Sequence, residues 1–481
     1  MKGKSASWRT RNILIALFSV ALALAVGFLI AKIAFLGLLL IILAVIALIV
    51  AYLVFRSPEL GWLLIIFFLP FERVPSIEMA GVNLKINTFL GFLTLIAWIL
   101  GLMFQGKKYK VQPNFLSIPL FLFIMALLLS LTQAFNFTRA VSVLIFTVFT
   151  IIFSILAVNM VYSKETLRKT ILVLFFSALV VSLFGLFQFG GDVVGLPQSL
   201  TLLKEGYTSV VFGFPRVQAF SMEPLYFANY LLIPISVGLA LFINRVEPIK
   251  RWWMAGLIGL ILLNFILTVS RGGYLGLLGS FLVLGILLFK RLFNWRTILI
   301  GIVTVIIVVY GVAFALSKGE TRATMEFLGH VTLQDVNRGE SVEGRLITFK
   351  QGMNAFYTSP IFGIGLGNYG PWVTFYPDAR PITGWPIVNN EFIELLAETG
   401  IVGAGTFLLL IIFLSVRTLM ALKYAHDIFL KSVLIGLFAA FVGVLIQYNF
   451  MSTLYIIHVW VLIGLLVAVQ NIILKNKITN F

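Results

Sequence analysis

Long apolar runs separated by short basic loops dominate the pattern of this chain. A helix needs about 20 apolar residues to cross the hydrocarbon core of a membrane, and about fourteen runs approach that length. The first two lie near residues 13–31 and 33–55, and the last ends just before the basic KNK at 475–477. The pattern predicts an all-α, polytopic membrane bundle of about 12–14 transmembrane helices.

Composition agrees with this class. Hydrophobic residues make up 60% of the chain and charged residues only 11%, with a mean hydropathy of +1.07. A soluble domain carries roughly 25% charged residues. The chain is therefore predicted to be an integral membrane protein, with membrane lipid as its surroundings.

The basic residues that give the chain its net charge of +17 lie mostly in the loops between the apolar runs. If the N-terminus is cytoplasmic and the spans alternate, about 22 of the 35 lysines and arginines fall in cytoplasmic segments, as the positive-inside rule requires. Both termini are then cytoplasmic, the basic N-terminus reads as a signal anchor, and nucleic acid is not needed to explain the charge. We expect a multi-pass protein of the cytoplasmic membrane.

The same alternation divides the chain into five parts. We expect two groups of polar residues on the external face, one of them a large, partly helical loop with the catalytic face. The predicted parts are N-terminal helices at 1–190, an external arginine-containing loop at 191–225, central helices at 226–317, the large external loop at 318–400, and C-terminal helices at 401–481.

The sequence gives little support for a metal site and none for a disulfide bond. The chain has no cysteine, and its three histidines, His330, His426 and His458, are too scattered in sequence to suggest a metal cluster. We expect neither a metal nor a cofactor.

Chemistry concentrates between residues 363 and 403. The run GIGLGN at 363–368 supplies glycines that tolerate positive φ, and four prolines between 371 and 386 exclude a long helix. Asn389 or Asn390 can then cap a helix that carries Glu391, Glu394 and Glu398. Spacings of three, four and seven place these carboxylates on one helix face.

Three arginines of the external side are candidate functional residues, because positive charge there opposes the orientation rule. They are Arg216, Arg271 and Arg345. An arginine near hydrocarbon is costly unless it is paired or lines a polar cavity, and its planar fork matches phosphate oxygens. Three such groups from separate loops would suit a diphosphate at the membrane surface.

Structural roles remain open for each of these residues. Arg271 could snorkel from a helix end, Arg345 could pair with a nearby glutamate, and Glu223 could be the partner of Arg216. The three carboxylates after Asn390 could form a polar helix face without chemistry.

Four motifs in this order resemble the O-antigen ligase and O-antigen polymerase superfamily of membrane glycosyltransferases. The resemblance covers roughly residues 216–403. The matching segments are RVQAFSMEPLYFANYLL at 216–232, LTVSRGGYLGLL at 267–278, GRLITFKQGMNAFYTSPIFGIGLGNY at 344–369 and NNEFIELLAETGIVG at 389–403.

The resemblance implies a GT-C-like fold and a glycosyltransferase that takes its donor glycan from a polyprenyl diphosphate. A hydroxyl of a glycan or lipid acceptor would attack the anomeric carbon with inversion, at the external face and without a metal. Arg216, Arg271 and Arg345 would offset the diphosphate charge, and Glu223 and Asn390 would make further substrate contacts.

One position departs from the family pattern. Asn389 stands where the family usually has histidine, and an amide cannot act as a general base at neutral pH. We expect the catalytic group to comprise Asn389, Glu391 and Glu398. Either the role of the histidine is not proton transfer in this chain, or a carboxylate such as Glu391 or Glu398 takes that role. The ligase assignment weakens more than the polymerase assignment.

Other classes stay open at this point. A transporter or flippase for lipid-linked oligosaccharide would share the topology, although no internal repeat is visible and the external loops are long. A cell-wall polymerase of the shape, elongation and division family usually has fewer spans. A structural membrane protein would not need arginines placed against the charge rule.

Overall fold

The computed structural model describes residues 41–73, 76–79, 82–104, 111–289, 340–374, 381, 384–452 and 454–478, together with isolated positions between 19 and 38 and between 306 and 329. The predicted span at 13–31 and the last part of the predicted central helices, at 297–317, lie outside these residues, apart from isolated positions. His330 also lies outside them.

The described chain is a helical bundle, which confirms the all-α prediction. Its first half contains helices α1 to α8, with 3₁₀ turns at Leu131–Gln133 and Glu205–Tyr207. The bounds are α1 Ile41–Arg56, α2 Pro58–Phe68, α3 Ile86–Phe104, α4 Ser117–Ser130, α5 Phe137–Met160, α6 Lys164–Val193, α7 Gln198–Thr201 and α8 Ser209–Phe212.

The second half adds eight helices. The bounds are α9 Pro224–Asn244, α10 Arg251–Leu267, α11 Arg271–Leu287, α12 Glu340–Thr358, α13 Tyr369–Val373, α14 Glu391–Lys423, α15 Ile428–Gln447 and α16 Ile457–Ile478. A short antiparallel hairpin, β1 Ser76–Met79 with β2 Val82–Lys85, is the exception to helix among the described residues.

Seven of the described helices are long and apolar enough to cross a membrane, and five further apolar helices are shorter. The seven are α3, α5, α6, α9, α14, α15 and α16. Since helices that are apolar on every face belong inside a bundle, α9, α15 and α16 form its core, with about four-fifths of each apolar window buried.

Close backbone contact holds this core together. Helix α15 packs against both α9 and α11. A Cβ added at Gly443 of α15 would lie 2.7 Å from the carbonyl oxygen of Gly276 in α11, and one at Gly276 would lie 2.8 Å from that of Gly443. Small residues let helix backbones approach in this way, because van der Waals packing drives helix association in lipid.

The connectors gather at the two ends of the bundle. At one end the Arg73 amide donates to the Phe220 carbonyl (2.9 Å), and the Asn136 amide donates to the Asn368 side chain (2.6 Å). We call this the site end. The segments that meet here are those that the alternating topology assigns to the external face.

At the other end, which we call the opposite end, further described connectors meet. Lys164 at the start of α6 forms an ion pair with Asp427 before α15. The Asn471 side chain of α16 donates to the Pro113 carbonyl before α4 (2.6 Å). Loops far apart in sequence thus meet at one end, as an alternating path through a membrane requires.

Candidate functional site

Arg216 lies in the connector between α8 and α9, at the site end. Its backbone amide donates to the Tyr207 carbonyl (2.8 Å), and its guanidinium carbon lies 5.6 Å from the centre of the Tyr207 ring. Its Nε donates to the Thr268 carbonyl (3.4 Å), which ties it to the end of α10. The side chain is half-buried, so its positive charge is partly exposed at the site end of the bundle.

Arg271 is the first residue of α11, and the preceding residue caps that helix. The Ser270 hydroxyl accepts from the Gly273 amide (3.3 Å). The Arg271 Nε is buried and has no hydrogen-bond partner in the part of the chain that the structure describes. A buried donor without a partner costs free energy, so it marks a place where a ligand oxygen would be favourable.

Arg345 reaches the same place from α12. Its guanidinium carbon lies 5.7 Å from the centre of the Phe450 ring. The base of that phenylalanine packs on the start of α11, where a Cβ added at Gly272 would lie 2.8 Å from the Phe450 Cβ. Phe450 therefore bridges Arg345 to the turn that bears Arg271.

Arg271 lies close enough to each of the other two arginines for their charges to repel. Burial lowers the pKa of Arg216, and the Arg271 charge lowers it further. Burial also lowers the pKa of Arg345, again with repulsion from Arg271. Arg271 is thus the middle member of one group, which we call the arginine cluster: Arg216, Arg271 and Arg345.

Glu223 lies beside this cluster, immediately before Pro224 at the start of α9. Burial and the Glu223 carboxylate together raise the pKa of Tyr207 to about 12. The same carboxylate acts on Arg216. Glu223 is exposed, so it remains accessible to a substrate as well as to its two neighbours.

The acidic turn, residues 389–398, begins with the predicted helix cap. Asn390 is the N-cap of α14, and its side-chain oxygen accepts from the Ile393 amide (3.1 Å). Asn389 takes a left-handed conformation with φ of 59°. Of the two asparagines that the sequence offered as caps, Asn390 fills that role, and Asn389 is half-buried beside it.

The three carboxylates of this turn differ in their surroundings. Glu391 is only 3% exposed, and its backbone amide donates to the Tyr448 carbonyl (2.8 Å). Glu394 is half-buried and accepts from the Val388 amide (2.7 Å). Glu394 is therefore more open than Glu391.

Glu398 forms hydrogen bonds with the glycine-rich loop. Its two carboxylate oxygens accept from the backbone amides of Gly367 (2.6 Å) and Tyr369 (2.9 Å), and the residue is 6% exposed. Because both of its oxygens bind amides of the same loop, Glu398 fixes the path of residues 363–369. Its catalytic role stays a prediction, and its contacts favour positioning.

Glycine is required where this loop meets α14. Gly363 has φ of 71° and Gly400 has φ of 64° with ψ of −167°, so positive φ was correctly expected for the run. A Cβ at Gly363 would overlap the backbone at Glu398, and one at Gly400 would overlap the backbone at Ile361. Gly400 also interrupts α14 between the acidic turn and the apolar part of the helix.

Helix α12 joins the arginine cluster to the acidic turn. Thr348, one turn after Arg345, donates through its hydroxyl to the Val388 carbonyl (2.8 Å). The amide of Val388 in turn binds Glu394. Arg345 and Glu394 are thus connected through Thr348 and Val388. This link places the arginine cluster and the acidic turn on the same surface of the bundle.

Sequence reasoning missed Arg139, in the first turn of α5. Its Nε donates to the Gly367 carbonyl (2.5 Å), and its guanidinium carbon lies 5.2 Å from the Trp385 ring centre. Its charge also reaches Glu394 and Glu398. A signal existed, because the predicted topology makes Arg139 another external arginine.

A buried histidine near the site was also missed. In α16, the His458 Nε2 lies 2.7 Å from the Asn229 side-chain oxygen, and Nδ1 lies 3.3 Å from a Glu72 carboxylate oxygen. His426 lies at the opposite end, beside Asp427, and no group of three metal-binding side chains occurs among the described residues. Sequence separation had hidden the contact between Glu72 and His458.

Fold and site together define a polytopic membrane protein with a cationic and acidic surface at one end of its helical bundle. A family model described as O-antigen ligase matches residues 256–408, about a third of the chain. The match includes Arg271, Arg345 and the acidic turn, and it confirms the resemblance to the O-antigen ligase and polymerase superfamily. Arg216 and Glu223 precede the matched segment.

A search of curated proteins finds no match to this chain. The family match indicates glycosyl transfer of the O-antigen ligase type by an integral protein of the cytoplasmic membrane. Lipid-linked glycan and an acceptor are the substrates that this family implies in general.

Proposed function

We propose that the protein transfers or polymerises oligosaccharide from a polyprenyl-diphosphate carrier at the external face of the cytoplasmic membrane. The observation that carries this proposal is the arginine cluster around Arg271, joined to the acidic turn through Thr348 and Val388. A lipid diphosphate has a dense anionic group at the depth of helix ends, and guanidinium forks suit it.

The proposed reaction is a single inverting displacement. The acceptor hydroxyl oxygen forms a bond to the anomeric carbon, while the bond between that carbon and the diphosphate oxygen breaks with its electron pair. The diphosphate leaves as an anion, and Arg216, Arg271 and Arg345 stabilise the charge that develops on it. This assigns to arginines the role that a divalent cation has elsewhere.

A carboxylate of the acidic turn takes the acceptor proton. Glu394 fits this role best, because it is half-buried and binds one backbone amide, whereas Glu398 binds two and Glu391 is nearly inaccessible. Asn389 would hydrogen-bond the acceptor but cannot remove its proton. Glu391 and Glu398 support the acidic turn in this scheme. Glu223, beside the arginine cluster, and Asn390, at the start of the turn, would make further contacts to substrate.

Activity of the purified protein with a polyprenyl-diphosphate oligosaccharide tests the proposal. Arg216→Gln, Arg271→Gln and Arg345→Gln should each lower kcat by about 10²- to 10³-fold, the usual effect of removing one preorganised donor. Arg245→Gln, which removes a cation at the opposite end, is the matched control. Full activity in all three cluster variants would refute the proposal.

The products and the lipid distribution separate the remaining possibilities. Glycans that lengthen on the lipid carrier identify a polymerase, and transfer to a different acceptor identifies a ligase. Movement of the lipid-linked oligosaccharide across proteoliposomes without transfer would instead identify a transporter.

A further inference from the structure

A cavity of about 350 Å³ opens at the opposite end of the bundle, where the proposed transfer reaction has no role for it. Its polar lining includes Gln112, Tyr162, Arg417, Asn471 and Lys475. The rest of the wall consists of Pro113, Val158 of α5, Val161 just after that helix, and Ile472 and Leu474 of α16. The cavity thus combines two basic side chains with an apolar surface at the ends of membrane-spanning helices.

Hydrogen bonds between separate elements shape this cavity. Arg417 of α14 donates to the Asn471 side-chain oxygen (3.0 Å), and the Asn471 amide group donates to the Pro113 carbonyl (2.6 Å). The Gln112 amide donates to the Asn159 side chain (2.8 Å). The connector before α4 is therefore fixed against α5 and α16, which gives the lining a defined form.

Arg417 still has capacity for an anion. Its guanidinium carbon lies 3.9 Å from the Phe115 ring centre, and its buried Nε finds no hydrogen-bond partner among the described residues. In the same part of the chain, no carboxylate forms an ion pair with it. An arginine that stacks on a ring and keeps a free donor commonly binds phosphate or carboxylate.

Among the described residues of this end, the acidic side chains have partners other than Arg417 and Lys475. Glu59, beside the lining, accepts from the Tyr162 hydroxyl (3.0 Å). The other acids of this end that form ion pairs do so with lysine or arginine outside the cavity. These pairs are Lys164 with Asp427, Lys169 with Glu165, and Arg251 with Glu247. The cavity therefore keeps a net positive lining.

We propose that this cavity binds the phosphate of an anionic phospholipid headgroup, with Arg417 and Lys475 as its cationic contacts. The apolar wall would accommodate the first carbons of the acyl chains. Basic pockets between transmembrane helices recognise such headgroups through charge and hydrogen bonding together. This site is independent of the proposed glycosyl transfer.

Native mass spectrometry of the delipidated full-length protein tests the site. Phosphatidylglycerol added in detergent should bind at one saturable site and raise Tm, whereas phosphatidylcholine should do neither. Arg417→Gln should weaken phosphatidylglycerol binding at least about tenfold, the effect of losing a charged hydrogen bond. Lys475→Gln removes an exposed side chain, so it should fold normally and weaken binding about threefold, as losing an exposed ionic contact does.

Lys423→Gln is the matched control, since it removes an exposed cation from the last turn of the same helix. It should leave phosphatidylglycerol binding unchanged. Equal binding in wild type, Arg417→Gln and Lys475→Gln would overturn the proposal. Equal stabilisation by inorganic phosphate alone would also overturn it, since the cavity would then select a free anion.

Discussion

The two ends of the bundle treat charge in opposite ways. At the opposite end, lysines and arginines form ion pairs with acidic side chains, such as Lys164 with Asp427 and Lys169 with Glu165. A third such pair at that end joins Arg251 with Glu247. At the site end, three arginines lie near one another around Arg271 instead.

We propose that this difference separates charges that set the topology from charges that bind a ligand. Exposed ion pairs contribute little to stability, and basic residues at that end follow the positive-inside pattern. A group of like charges disfavours the folded state unless an anion binds it. We therefore expect repulsion among these arginines to lower the stability of the folded protein, and a bound diphosphate to raise it.

The largest effect is expected for the proton acceptor. Glu394→Gln should lower kcat by about 10²- to 10⁴-fold, because it keeps the shape but cannot take a proton. Glu398→Gln is the informative partner, since its main effect should be on stability of the glycine-rich loop. Rates measured at saturating donor, with Tm for both variants, check this. A greater loss of kcat in the Glu398 variant would reverse the two assignments.

The next largest effect is expected when Arg271 is replaced by a residue with the same charge and a different shape. Arg271→Lys should reduce kcat/KM by about 10²-fold, since an ammonium cannot reproduce the planar fork. Arg251→Lys, at the opposite end, should leave activity within twofold as a charge-matched control. Steady-state kinetics with the lipid-linked donor measures both. Wild-type activity of Arg271→Lys would show that charge alone is needed.

A stability effect is expected where α14 is interrupted. Gly400→Ala should reduce the free energy of unfolding by about 1–3 kcal/mol, since its backbone conformation is one that only glycine adopts without strain. Thermal unfolding in detergent measures this. Gly405→Ala is the control, because a Cβ there meets no atom within 4 Å. Equal stability of the two variants would contradict the role assigned to the interruption.

The smallest effect belongs to the paired charges. Lys164→Ala should change the free energy of unfolding by less than about 1 kcal/mol, because Lys164 and Asp427 are partly exposed to solvent. The same unfolding experiment measures it, and glycosyl transfer should remain unaltered. A loss of activity here would erase the distinction between the two ends.

Local signals predicted much of this structure. The helical bundle follows from hydropathy, and the acidic helix follows from the Asn390 cap and the spacing of its carboxylates. The positive φ of Gly363 follows from the glycine-rich run. Each of these depends on residues near one another in sequence, where propensity and periodicity act.

The features that sequence reasoning missed depend on distant contacts. Arg139 meets the glycine-rich loop across 228 positions, and Glu72 meets His458 only because the end of α2 and the start of α16 lie at the same face. The carboxylate of Glu398 reads as catalytic in sequence, yet its two oxygens bind backbone amides of a folded loop. Tertiary packing decides these roles, and a single sequence does not encode it in any local pattern.

Helix α14 carries Glu394 near its start and Arg417 near its end. Gly400 interrupts the helix between them, and from Gly400 to Arg417 the axis rises about 26 Å at 1.5 Å per residue, close to the roughly 30 Å of hydrocarbon. Glu394 and Arg417 therefore lie toward opposite leaflets. A lipid head held by one cannot touch the other, although both side chains belong to the same helix.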